Sequence, residues 1–200
     1  MIIKTKIALI AALLLLTGTA AAEGDPEAGA AIGYSCLGCH GIEGYRNAYP
    51  SFRVPKLGGQ TATYLEIALR GYRDGMRSHP TMVGQSKSLT DQQISDVSTF
   101  LASFGSAAVE AGGGTAPAFE KAAACAACHG QNGISVSPPW PTLAGQHKEY
   151  LVHALNQYRD GSRKDPVMSP MAAPLTDEDV KLLAEYFSSL PGLVTTAKGD

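Results

Sequence analysis

The chain repeats itself. Slid along its own sequence by 86 positions, Pro55–Phe104 falls on Pro141–Leu190 with 19 identities in 50. Matched runs include Gly59-Gln60 with Gly145-Gln146, Tyr64-Leu65 with Tyr150-Leu151, and Tyr72-Arg73-Asp74-Gly75 with Tyr158-Arg159-Asp160-Gly161. Leu89-Thr90-Asp91 likewise falls on Leu175-Thr176-Asp177. Upstream, Cys36-Leu37-Gly38-Cys39-His40 answers Cys125-Ala126-Ala127-Cys128-His129 once the first copy is given a loop three residues longer. Two copies make a tandem pair of small units; a solenoid needs more.

The spacing of apolar residues makes both units helical. Tyr64, Leu65, Ala68, Leu69 and Tyr72 recur at intervals of three and four, and Tyr150–Tyr158 repeats the pattern. Asp25-Pro26-Glu27 is a helix start, with Asp as the cap and Pro in the first turn. Thr90-Asp91-Gln92-Gln93 opens a capping-box pattern before Ile94, Val97 and Leu101, and Thr176-Asp177-Glu178-Asp179 does so before Val180, Leu183 and Phe187. Alternating strand patterns are nearly absent, so the expected class is all-α. Ala107-Ala108 and Gly112-Gly113-Gly114 form a flexible joint. The expected organisation is a unit over 23–106, a linker over 107–117 and a second unit over 118–200. Units of this size have marginal cores, and a cofactor that brings apolar area would help each one fold.

Cys-x-x-Cys-His supplies such a cofactor. Cysteines three apart share one face of a helical turn. Cys36 with Cys39, and Cys125 with Cys128, can each form two thioethers to the vinyl groups of one porphyrin. The next residue, His40 or His129, then sits beneath the ring where its imidazole reaches iron. Zinc is a poor alternative, because Cys39 and Cys125 lie 86 positions apart, far beyond ribbon spacing. A thioredoxin-like site needs a βαβ context, and disulfides leave both histidines unexplained. Two covalently bound haem c groups, with their iron, are expected.

The sixth ligand is a choice among methionines. Beyond the first residue the chain carries Met76, Met82, Met168 and Met171, and only Met82 and Met168 are repeat equivalents. Each follows a Pro by two residues and precedes the Leu-Thr-Asp cap by seven. A methionine in a small helical domain is more often packing than ligand, but the repeat favours these two, in the loop before the last helix. His79 and Met171 are the competitors. His147 and His153 read as helix-surface or core histidines.

Residues 1–22 stand apart from this pattern. Lys4 and Lys6 precede the apolar run Ile7–Leu16, and Ala20-Ala21-Ala22 offers small residues for cleavage. This is the pattern of a secretory signal peptide, and Ile7–Leu16 is short for a membrane span. The mature chain would begin at Glu23 with 14 Lys+Arg against 18 Asp+Glu. Nothing in that balance suits nucleic acid. The mature protein is therefore expected in the periplasm.

With these motifs in place, the chain resembles the dihaem cytochrome c4 family of bacterial periplasmic class I c-type cytochromes. The likeness rests on the paired Cys-x-x-Cys-His motifs, on Pro-x-Leu-x-Gly-Gln at Pro55–Gln60 and Pro141–Gln146, and on the Met-to-Leu-Thr-Asp segments. The resemblance implies two tandem cytochrome c-like domains, each a small helical bundle around one covalent haem c. It implies His40/Met82 and His129/Met168 as axial pairs. It also places the Pro55 and Pro141 segments beside the proximal histidines, where a backbone carbonyl would fix each imidazole. Tyr72-Arg73 and Tyr158-Arg159 become candidates for propionate or inter-haem contacts, against the plainer reading of arginines at helix C-termini.

His/Met ligation closes both axial positions and raises the potential relative to two nitrogens. The expectation is therefore a one-electron carrier and not an enzyme. It would pass electrons from a periplasmic donor to a redox partner such as a terminal oxidase, with peripheral membrane association left open. Two alternatives stand behind it: an electron-transfer subunit of a periplasmic dehydrogenase, and a dihaem peroxidase, which would need one iron to lose its sixth ligand. Glu23–Ala108 carries seven basic and eight acidic residues and Val109–Asp200 seven and ten, so charge alone lowers the potential of the second half. Arg70, Arg73 and Arg77 are candidates for steering an acidic partner, or else a solvated helix face.

Overall fold

The computed structural model describes residues 23–105, 109 and 119–196. The signal peptide expected over 1–22 lies outside the described residues, as does the 107–117 joint apart from Val109. The described chain is helical, with only two isolated bridges, Arg46 with Arg53 and Gly58 with Val194. Among these residues no helix is long and apolar enough to cross a membrane.

The first half opens with α1 (Pro26–His40), where the Asp25 side chain accepts from the amides of Glu27 and Ala28. Helix α2 (Ala62–Arg73) is capped by Thr61, α3 (Pro80–Ser86) starts on a proline, and α4 (Asp91–Ala102) carries the Thr90/Gln93 capping box. Both α1 and α2 pack on α4. Buried Gly29 and Gly33 let α1 come down onto the Asp96–Phe100 turn, where a β-carbon on either would strike α4. Leu65, Val97 and Leu101 form the core behind this crossing.

The second half repeats the plan with a shorter entry. A 3₁₀ turn (Glu120–Ala122) leads into α5 (Ala123–His129), followed by α6 (Lys148–Asp160), α7 (Met168–Ala172) and α8 (Asp177–Ser189). Thr176 and Asp179 form the second capping box. Leu151, Leu183, Ala184 and Phe187 make its core.

The halves are joined by matched contacts. Gln60 and Gln146 each follow a left-handed glycine, Gly59 at φ 85° and Gly145 at φ 75°, and each reaches into the other half. Gln60 accepts from the Thr142 amide at 3.0 Å and donates to the Thr142 carbonyl at 3.0 Å. Gln146 accepts from the Lys56 amide at 2.9 Å and donates to the Lys56 carbonyl at 3.0 Å. Lys56 and Thr142 are themselves repeat equivalents, so the joint has an internal two-fold character. The tail after α8 then crosses to the first half. Val194 exchanges backbone hydrogen bonds with Gly58, and the fully buried Thr196 hydroxyl donates to the His40 carbonyl at 2.9 Å.

Candidate haem sites

Each Cys-x-x-Cys-His motif occupies the last turn of a helix, α1 for Cys36, Cys39 and His40, and α5 for Cys125, Cys128 and His129. The four cysteines are half-buried and joined in no disulfide, and burial pushes the Cys36 and Cys125 thiols up in pKa. Among the described residues no three His, Cys, Asp or Glu side chains gather as a metal cluster.

The two histidines are set for ligation by their own backbone surroundings. His40 Nδ1 lies 2.8 Å from the Pro55 carbonyl, and His129 Nδ1 lies 2.8 Å from the Pro141 carbonyl. A carbonyl only accepts, so each Nδ1 carries the proton and each Nε2 keeps its lone pair. Both rings are buried, and burial lowers both pKa values and keeps the imidazoles neutral.

In the first half the cavity beyond His40 is walled by Cys36, Cys39, Leu65, Val97 and Met82. Met82 and Met168 are half-buried, whereas Met76 and Met171 are exposed. Both matched methionines sit on short helices instead of the loops expected for them. Pro80 starts α3 two residues before Met82, and the Asp165 carboxylate accepts from the amides of Val167 and Met168, which forms the first turn of α7. His79 lines the same cavity with its edge toward Phe52, and neither of its ring nitrogens has a hydrogen-bond partner. His147 precedes α6, and His153 stacks on Phe52 at 4.4 Å, from one half to the other.

The cytochrome c family model matches residues 26–105 and 117–191. Cytochrome c4 of Pseudomonas aeruginosa is 34% identical over 91% of this chain and 98% of its own. A thiosulfate dehydrogenase electron acceptor of Stutzerimonas stutzeri is 34% identical over 90% of this chain and 92% of its own. The crystal structure of reduced recombinant cytochrome c4 from Pseudomonas stutzeri matches with a TM-score of 0.64 and 30% identity, covering 84% of this chain and 99% of that one. The chain belongs to the cytochrome c4 family. It is a two-domain c-type cytochrome that transfers electrons and binds two haem c groups, through Cys36/Cys39 and Cys125/Cys128.

The remaining buried charge fits haem in a way the sequence reading missed. Arg73 pairs with Asp74 and Asp91, and Arg159 with Asp177, contacts that match the plainer reading of arginines at helix C-termini. Four positions further on, Arg77 and Arg163 are only 8% and 4% exposed. Each donates to the Tyr64 hydroxyl, at 3.3 and 3.0 Å, and Arg163 also lies over the Tyr158 ring. The two guanidiniums hold the Tyr64 phenol down to about 8. Neither has a carboxylate within ion-pair distance among the described residues, and Arg163 Nε has no partner at all. Arg77 lines the cavity, and a buried cation without a carboxylate suits the propionates a haem would bring there. Arg77 is also removed from the solvated face expected for Arg70, Arg73 and Arg77. The available signal was their identity at matching repeat positions.

Proposed function

We propose that this cytochrome is a periplasmic one-electron carrier holding two electrons per molecule, with His40/Met82 and His129/Met168 as the axial pairs. The supporting observation is that Met82 and His40 wall one cavity while the other methionine of that half, Met76, faces solvent. Bound haem supplies a reversible ferric–ferrous couple. The protein fixes each imidazole through Nδ1, Met82 and Met168 would supply the thioethers, and the apolar lining excludes water. Closed axial positions leave no place for peroxide or oxygen, which disfavours the peroxidase reading. The acceptor is read as a terminal oxidase or similar redox protein.

A second reading has its own support. The relative named as a thiosulfate dehydrogenase electron acceptor shares 34% identity over 90% of this chain, so a periplasmic dehydrogenase is a candidate donor or complex partner. A pyridine haemochrome count with oxidised and reduced visible and near-infrared spectra tests the carrier reading. Two haems per chain, both low-spin, with the methionine-to-ferric-iron band present, are expected. A high-spin haem in the unmutated protein would overturn it, and stable co-purification with a dehydrogenase would select the second reading.

A further inference from the structure

Each proximal histidine is hydrogen-bonded to a peptide group that the opposite domain holds from behind. The Pro55 carbonyl, which accepts from His40 Nδ1, belongs to the same peptide as the Lys56 amide, which donates to Gln146 Oε1. The Pro141 carbonyl, which accepts from His129 Nδ1, belongs to the same peptide as the Thr142 amide, which donates to Gln60 Oε1. Both glutamines are 5% exposed. Their amide orientation is fixed by their partners. Each Oε1 accepts a second amide from its own chain neighbour, Thr61 or His147, while Nε2 donates to a carbonyl. No hydrogen-bonding capacity is left over for rearrangement around either Oε1.

We propose that Gln60 and Gln146 are reciprocal positioning residues, each setting the reduction potential of the haem in the other domain through the peptide behind its proximal histidine. An acceptor on a peptide N–H polarises the C=O of the same peptide. The carbonyl then draws harder on the imidazole Nδ1–H, and the ring gains donor strength toward iron, which favours the ferric state. Removing the glutamine oxygen weakens this pull and favours the ferrous state. The effect crosses the domain boundary in both directions, so the two potentials depend on the joint being closed. This rests on His40 and His129 being the axial ligands.

The test is Gln146→Met and Gln60→Met in the full-length dihaem protein, read by voltammetry and by the His Nδ1–H resonances of the reduced form. Changing a direct partner of a metal-bound histidine commonly costs ten- to a hundred-fold in metal affinity or activity, and one bond further out a smaller change, about threefold in the ferrous-to-ferric ratio, is expected. Gln146→Met should raise the ferrous-to-ferric ratio of the first haem by that factor and move the His40 Nδ1–H upfield, leaving His129 in place. Gln60→Met should give the mirror image. Gln146→Glu keeps an acceptor for Lys56 and should move both readouts the opposite way, whereas a merely loosened joint would shift all variants in one direction. It also carries the test if the methionine variants do not fold. Shifts in the mutated domain itself, equal shifts in both, or unmoved Nδ1–H signals overturn the proposal. Failure of the ligand assignment is separable, because His40 and His129 would then lack the large shifts between oxidation states that ligands show in the unmutated protein.

Discussion

Met82 and Met168 differ from Met76 and Met171 in burial as well as in repeat position. Met82→Ala and Met168→Ala should each remove about half of the methionine-to-ferric-iron band and leave one haem in a changed spin or ligation state, read by near-infrared absorption. The buried guanidiniums give a second expectation at this scale. Arg163→Gln takes a cation out of a low-dielectric joint and should lower the ferrous-to-ferric ratio severalfold, read by voltammetry. What the sequence revealed of the site was its covalent and repeated part. Cys-x-x-Cys-His names its own chemistry, and the expected carbonyl partners of the histidines are found at Pro55 and Pro141. The burial of Arg77 and Arg163 was not legible, because burial of a charge is decided by what packs over it. No local pattern distinguishes Arg73, paired at the surface with Asp91, from Arg77, buried on Tyr64.

At the scale of elements, the helix starts were legible because caps are local. Asp25, Thr90 and Thr176 each bond amides two or three residues ahead. The short helices α3 and α7 were hidden because each is only one or two turns long, below the reach of apolar periodicity. The α1–α4 crossing gives a prediction that propensity alone would get wrong. Alanine is about 1 kcal/mol better than glycine inside a helix. At Gly29 the added methyl would meet the Asp96 carbonyl and the Phe100 β-carbon. Gly29→Ala should therefore destabilise by about 1–3 kcal/mol, as overpacking does, in thermal unfolding of the holoprotein. The second half has no described counterpart to the start of α1, since α5 begins at Ala123 after a single 3₁₀ turn.

On the scale of the whole molecule, the tail beyond α8 belongs to both halves. Leu193 is 2% exposed, its amide donates to the Ala144 carbonyl at 2.8 Å, and the next residue pairs with Gly58. Leu193→Ala should cost about 2–5 kcal/mol, as for other buried leucines. It should also bring forward proteolytic cleavage between the domains, read by thermal unfolding and limited digestion. None of this was readable in advance, because the partners lie 49 to 156 positions apart and no periodicity records them. The consequence concerns the order of events as the chain emerges from its N-terminus. Helices α1 to α4 can assemble as soon as they appear, but the His40 carbonyl waits for Thr196, some 156 residues later. Contacts of such sequence separation form late and slow the final step. The first domain is the earlier to be made and the later to be finished, since the backbone of its haem-binding histidine gains its last hydrogen-bond partner only after the whole second domain has appeared.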